Sequence, residues 1–333
     1  MPDSEAHLTQ AAPHHEGESK AAVLAAMVAN FAIAVGKLVA GLMTGSAAML
    51  AEAGHSIADT VNQVFLLIGI NLSTTTADEK HPHGYGKEAF FWSFLAAIFI
   101  FVAGATFSFY EGIRTAVEGH EHHRSTLELT VAFGVLGVAL VFEVFSFTVA
   151  IRGVLAGARR RGWSFGRFIR EAPDVTIKTV FFEDSAAIIG LLIAMGGLTL
   201  SEVTGMESWD AAASISIGFV LLGVSVMLGM QSRSLLLGAA ATPETRDALH
   251  RLVRSFPEVI EVERILAMLM GSNSVLVTGE LRIKDGLGTA EIDDLLGRID
   301  ARIEAEIPEV RETFWEVRGE SHRHSRHKEP SAD

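Results

Sequence analysis

The 333-residue sequence contains no cysteine, carries a formal net charge of -13 and has a mean hydropathy of +0.32, a value seldom met in a soluble globular domain. Its apolar residues fall in long blocks, the signature of a membrane protein. The acidity argues against a nucleic-acid partner, because phosphate binding needs a basic face. Without cysteine, disulfides are excluded, and a metal site must use imidazole and oxygen ligands.

Residues 1–20 are polar, with His7, His14 and His15, and lack the basic start and apolar core of a secretory signal. They read as a disordered lead. Six apolar stretches follow, over about 21–43, 46–72, 88–117, 127–151, 175–200 and 209–231. Each is long enough at about 1.5 Å per residue to cross a hydrocarbon core of roughly 30 Å. The second is the least apolar, since it holds Glu52, His55, Asp59 and Asn62. It is still predicted to span, because MTGS and TTTADEK bracket it and unpaired backbone in lipid leaves helix as the only option.

The loops predict the orientation. The connection after the fourth stretch carries Arg152, Arg159, Arg160, Arg161, Arg167 and Arg170, and the one after the second carries Lys80 and Lys87. The turns after the first and fifth hold no Lys or Arg, while the one after the third holds Arg114 and Arg124. Basic loops stay cytoplasmic, which puts both termini inside.

From Ala239 the character changes, with 19 Asp/Glu against 13 Lys/Arg to the end of the chain. TPETRDALHRLVRSFPEV opens on Thr-Pro and spaces Leu249, Leu252, Val253 and Phe256 as a helix does. VIEVERILAMLMG and SVLVTGELRIK read as strands, TAEIDDLLGRIDARIEAEI as an amphipathic helix and ETFWEVR as a last strand. That αββαβ order over 239–318 predicts a small sheet covered on one face by helices. The His-containing end, 319–333, reads as a disordered tail.

Ionisable groups inside spans are costly and functional by default. His55 and Asp59 stand four apart, one turn above each other on one helix face, and Glu52 and Asn62 continue that face. An imidazole and a carboxylate so spaced can both reach one metal ion. Glu183 and Asp184 sit in the middle of the fifth stretch. Neither central cluster contains Lys or Arg, so a permeating cation or protons are expected to balance the acids. The alternative is that His55 and Asp59 hydrogen-bond each other and staple helices. Asn30 and Lys37 in the first stretch and Glu143 in the fourth are single polar residues, expected to hydrogen-bond between helices; Lys37 is also a candidate for snorkelling to the interface.

The segments GSAAMLAEAGHSIADTVNQ, HPHGYGKEAFFWSF, FYEGI and FFEDSAAIIGLLIA resemble the cation diffusion facilitators, and the Glu183–Asp184 pair resembles the branch similar to eukaryotic zinc transporter nine. The resemblance covers about residues 20 to 318. It implies a membrane all-α six-helix transmembrane bundle over 21–238 plus a C-terminal α/β ferredoxin-like (αββαβ) cytoplasmic domain, assembled as a homodimer. It implies metal/proton antiport, with no cofactor and with Zn²⁺ as cargo; Mn²⁺, Fe²⁺, Co²⁺ and Cd²⁺ are the alternative cargoes. The setting implied is an integral protein of a bacterial inner membrane.

The family's transport site takes two residues, four apart, from each of spans two and five. His55 and Asp59 match the first pair and Asp184 the second member of the other, whose first member is here Val180. Glu183 is then the leading fourth ligand and Glu52 the reserve. The loop between spans two and three binds a second metal in some members; Asp78, His81 and His83 are the matching residues, and Tyr85 stands where some members carry His. His250 is the only histidine between Ala239 and Arg318, which speaks against a metal site in the C-terminal domain. Two other classes compete. An intramembrane metal hydrolase would need a general base, and no HExxH motif occurs. A passive channel would need pore loops, and none is visible.

Overall fold

The computed structural model of the protein describes residues 16–118, 124–172, 175–272 and 274–319. The polar lead up to residue 15 and the tail from residue 320 lie outside them. α1 (Glu16–Thr44) begins before the end of the lead expected over 1–20, so helix replaces the expected disorder from Glu16 onward.

α2 (Ala47–Ser73), α3 (Glu88–Phe99), a π-helical segment (Ile100–Ala105), α4 (Thr106–Glu118), α5 (Thr126–Arg160), α7 (Val175–Thr204) and α8 (Ser208–Leu236) make up the rest of the helical part, with the short α6 (Phe165–Glu171) between α5 and α7. Polar caps fix the ends. Ser46 accepts the Met49 N–H at 3.1 Å to start α2, and Ser125 and Glu128 form a reciprocal capping box at the start of α5. The basic connection after the fourth stretch is not a plain loop: Phe168 of α6 is buried against Val154 and Ala158 of α5. Aromatic residues spaced among the arginines give that segment an apolar side, which the charge count obscures.

Among the described residues, five helical segments are long and apolar enough to cross a membrane: Met27–Thr44, Glu88–Glu118, Thr126–Arg160, Ile177–Thr204 and Ser208–Leu236. Phe31, Leu42, Val138, Val141, Phe145 and Phe219 stand exposed on their outer faces. So large an uncovered apolar surface suits lipid rather than water. α2 lies among them, buried along Ala47, Ala48, Ala51, Ala53 and Ala58. Small side chains let α1, α3 and α8 approach it closely. Its polar residues lower its mean hydropathy and at the same time require that it sit inside.

The C-terminal part is α9 (Pro243–Arg254), β1 (Val259–Gly271), β2 (Ser274–Ile283), α10 (Thr289–Glu306) and β3 (Val310–Gly319), the αββαβ order read from the sequence. Thr242 caps α9 with Pro243 at its first position. In the three-stranded sheet β2 is central, antiparallel to β1 and parallel to β3. The β2–β3 crossover is α10, as a parallel pair requires. Val277 and Leu281 of β2 pack with Leu249 and Val253 of α9 and with Leu295 and Ile299 of α10.

The two parts meet closely. Phe90 of α3 and Leu235 of α8 belong to the apolar core of the C-terminal part. A Cβ on Gly86 would strike the Met270 carbonyl oxygen and lie 3.2 Å from the Gly271 Cα. The loop backbone therefore rests directly on the β1–β2 hairpin, and only glycine fits there. Arg167 of α6 pairs with Glu244 of α9, and His83 Nδ1 lies 2.6 Å from Glu312 Oε2 on β3.

Candidate functional site

α2 brings Glu52, His55, Ser56, Asp59 and Asn62 into the bundle interior, and helical spacing decides their order. His55 Nδ1 and Asp59 Oδ1 approach to 3.4 Å. That approach lacks hydrogen-bond geometry: both His55 ring nitrogens and Asp59 Oδ1 are buried with no hydrogen-bond partner among the described residues. The pair is not a self-satisfied staple. Buried polar atoms are nearly always paired, so donor atoms left open in this way point to a missing partner.

α7 brings Glu183 and Asp184 to the same region. Asn62 Nδ2 of α2 donates to Glu183 Oε2 at 2.5 Å. The second Glu183 oxygen has no hydrogen-bond partner among the described residues. Asp184 Oδ2 accepts the Ser146 hydroxyl of α5 at 2.8 Å. Asp59 lies within electrostatic reach of Glu183, Glu143 and Asp184. Asn30 and Ile33 of α1, Ser56 and Asp59 of α2 and Glu143 of α5 line one cleft. Among the described residues, no three His, Asp or Glu side chains converge tightly enough to enclose an ion in this state. Asp59 of α2 and Glu183 and Asp184 of α7 thus share one interior, with Glu143 of α5 beside them.

Glu52 departs from the expectation. The cluster does contain a cation: Lys37 Nζ of α1 is 3.0 Å from Glu52 Oε2 and donates to Ser56 Oγ at 2.7 Å. Lys37 is 0% exposed, so it does not snorkel. The charge tally by individual stretch misses this pair because the acid and the base sit on different helices. Glu143 and Ser146 were also outside the predicted ligand set. Their spacing of three on α5 places both on one face, which is the signal that pairs them.

A second polar centre lies at the far end of the bundle. Arg124, whose side chain is 1% exposed, donates to the Thr44 carbonyl at 2.8 Å, to Glu202 at 2.9 Å and to Glu207 at 3.0 Å. Asp210 of α8 accepts the Ser46 hydroxyl and the Ala47 N–H, each at 2.6 Å, and lies 3.8 Å from Arg124. The α1–α2 turn, the start of α5 and the α7–α8 turn are thereby joined.

The loop residues do not assemble into one ligand set. Asp78 accepts the backbone N–H groups of Lys80 and His81 and the Tyr85 hydroxyl. The His81 N–H, followed by the Tyr85 hydroxyl, holds the Asp78 carboxyl below its ordinary value, and the same bond raises the Tyr85 phenol. His81 lies 3.7 Å from Asp78, whereas His83 turns away to Glu312.

A family model described as the cation efflux transmembrane domain matches residues 23–237. The human protein named proton-coupled zinc antiporter SLC30A9, mitochondrial, is 32% identical over 292 residues, covering 86% of this chain and 50% of that protein. Metal tolerance protein C4 of Arabidopsis thaliana is 29% identical over 80% of this chain and 58% of its own length. Manganese efflux system protein MneP of Bacillus subtilis is 23% identical over 92% of this chain and 98% of its own length. The chain spans about half the length of the first two relatives. The helical bundle, its interior acids and the matched segment together show that the chain belongs to the cation efflux, or cation diffusion facilitator, family, integral membrane proteins that act as transporters and not as enzymes.

Proposed function

We propose that the chain moves Zn²⁺ out of the cytoplasm in exchange for protons, as a homodimer of six-span subunits in a bacterial inner membrane. α2 is the sixth span, both termini are cytoplasmic, and the C-terminal part, 239–318, is a cytoplasmic domain of ferredoxin-like type. His55, Asp59, Asp184 and Glu183 hold the ion.

One observation carries the reading. Both nitrogens of His55, Asp59 Oδ1 and Glu183 Oε1 are buried, open and of the donor types that bind a borderline divalent metal. Metal needs neutral imidazole and ionised carboxylate, so protons compete for the same atoms. Metal entering from the cytoplasm displaces protons; protons returning from the other face expel the metal. No GxxxxGK[ST] motif occurs in the sequence, which leaves an ion gradient as the energy source. Rocking of the helices then moves one fixed site between the two faces. The zinc antiporter name of a relative with 32% identity supports this cargo and coupling. The orientation gains support from Arg124, whose charge is consumed by the carboxylates around it and so does not count as a free basic loop residue.

The test is uphill metal movement into inverted vesicles or proteoliposomes under an imposed pH difference, run with Zn²⁺, Mn²⁺, Fe²⁺, Co²⁺ and Cd²⁺. Zn²⁺ uptake with matched proton counterflow is expected. Undiminished accumulation after a protonophore and nigericin sinks the antiport; a metal response without proton flow indicates a channel.

A further inference from the structure

Lys37, Glu52 and Ser56 form a charged cluster beside the proposed metal ligands: Ser56 lines the same cleft as Asp59, and Glu52 Oε1 is buried with no hydrogen-bond partner among the described residues. Lys37 and Glu52 are each 0% exposed, and the ammonium reaches Glu52 at 3.0 Å and Ser56 at 2.7 Å. In a bundle surrounded by lipid, such a pair is costly to assemble and more costly to break from one side. Its position on α2 is specific. Glu52 stands three residues before His55, and Ser56 stands three before Asp59. The ammonium therefore grips the same stretch of helix that carries the metal ligands. On its other side Glu52 is pressed onto α7, where a Cβ on Gly190 would collide with Glu52 Oε1.

We propose that Lys37 is a resident counter-ion and positioning residue that withholds Glu52 from the metal. The inference rests on the transport-site reading above. A carboxylate three residues from His55 is within a turn of the bound ion and would otherwise join its oxygen ligands. Bound to Lys37 and held by Gly190, it stays a counter-ion. The consequences are two. The site acts on the cargo with one fewer negative charge, which keeps the ion releasable. The set is also left with one fewer oxygen ligand, which favours Zn²⁺ over harder ions such as Mn²⁺.

The two single variants therefore shift metal affinity in opposite directions. In Lys37→Met, the freed Glu52 joins the site: KM for Zn²⁺ falls about tenfold, turnover falls with it, and Mn²⁺ becomes a substrate. In Glu52→Gln, the unbalanced ammonium repels the cargo, and KM rises for every metal. In Lys37→Met/Glu52→Gln the shifts cancel, and KM and metal ranking return toward those of the unaltered protein. The measurement is Zn²⁺ and Mn²⁺ transport by the full chain in proteoliposomes, with thermal unfolding in detergent as the check on folding. A purely structural ion pair lowers stability in both singles and moves neither KM nor metal ranking; that result overturns the proposal, as do KM shifts of the same sign. Should Lys37→Met fail to fold, Lys37→Gln, which keeps a donor toward Ser56 without the charge, takes its place: a lowered KM for Zn²⁺ upholds the proposal and an unmoved KM overturns it. Failure of the underlying site reading has a separate mark, normal transport by Asp59→Ala.

Discussion

Asn62 of α2 and Glu183 of α7 are joined by a 2.5 Å hydrogen bond between buried side chains. The bond ties the helix that carries His55 and Asp59 to the helix that carries Asp184, and it leaves one Glu183 oxygen facing the interior. Asn62→Leu removes that bond and leaves Glu183 without its partner. The cost expected is about 1–3 kcal/mol of stability and roughly 10–100-fold in metal affinity or rate. Asn62→Gln should recover part of each. Thermal unfolding and initial transport rates on the same preparations check this, and a fully active Asn62→Leu protein would remove Glu183 from the site.

Asp59→Ala and Asp184→Ala are expected to abolish metal transport while the protein remains folded, because each removes an oxygen donor without burying a new polar group. Ser146→Ala, which only frees Asp184 Oδ2 from its hydroxyl, should reduce transport partially. Stopped-flow zinc uptake into liposomes separates the three. Normal rates in either aspartate variant would contradict the assignment.

Arg124→Ala leaves Glu202, Glu207 and Asp210 without the guanidinium they share. Breaking a buried charge network from one side costs about 3–5 kcal/mol. A fall in thermal midpoint and in the yield of folded protein is expected, with Arg124→Lys intermediate because an ammonium cannot donate in several fixed directions at once. An unchanged midpoint would show that the network is solvated in the bilayer.

Gly86→Val places a branched side chain against the Met270 carbonyl and Gly271. The loop must then lift from the β1–β2 hairpin. Faster proteolytic release of the C-terminal domain is expected, together with slower transport. Equal protease resistance in variant and parent would show that the contact is dispensable.

The Asp78 carboxyl titrates below its ordinary value of 3.8. A depressed carboxylate stabilises its loop at pH above that ordinary value, and the contribution is lost as pH falls through the lower folded value. Loop order should therefore persist through the neutral range and fail only in acid. Tyr85 offers the readout. Its phenol is raised by the bond to Asp78, so Asp78→Asn should move its ultraviolet titration to lower pH. No movement would mean the two side chains are apart in solution.

Much of this architecture is legible in the residues. Alternation in SVLVTGELRI and the Thr-Pro start before Leu249 place β2 and α9 where the structure has them. HxxxD and Glu183–Asp184 find the acids of the interior because charge in an apolar block is conspicuous. What stays hidden involves partners far apart in sequence. Lys37 and Glu52 lie 15 residues apart on two helices, and Arg124 meets Glu202 across 78. Asn30 and Lys37 share a face of α1 two turns apart, but a face does not say which helix it meets. Helix α6 is missed for a different reason: seven residues are too few for a periodic signal.

The π-helical segment Ile100–Ala105 sits between α3 and α4 in one continuous span, with Ile100, Gly104 and Ala105 buried. The Thr106 N–H reaches back five residues to the Phe101 carbonyl, and its hydroxyl donates to the same oxygen at 3.1 Å. Such a bulge amounts to a one-residue insertion in an otherwise regular coil, and one residue is worth about 100° of azimuth. The angular phase of α4 is therefore offset from that of α3. Phe90 can then face the C-terminal sheet while Phe109 faces Phe219 of α8. Excising a single residue here would restore the regular coil and rotate the whole distal half of the span out of register, although no ligand and no charge had been touched.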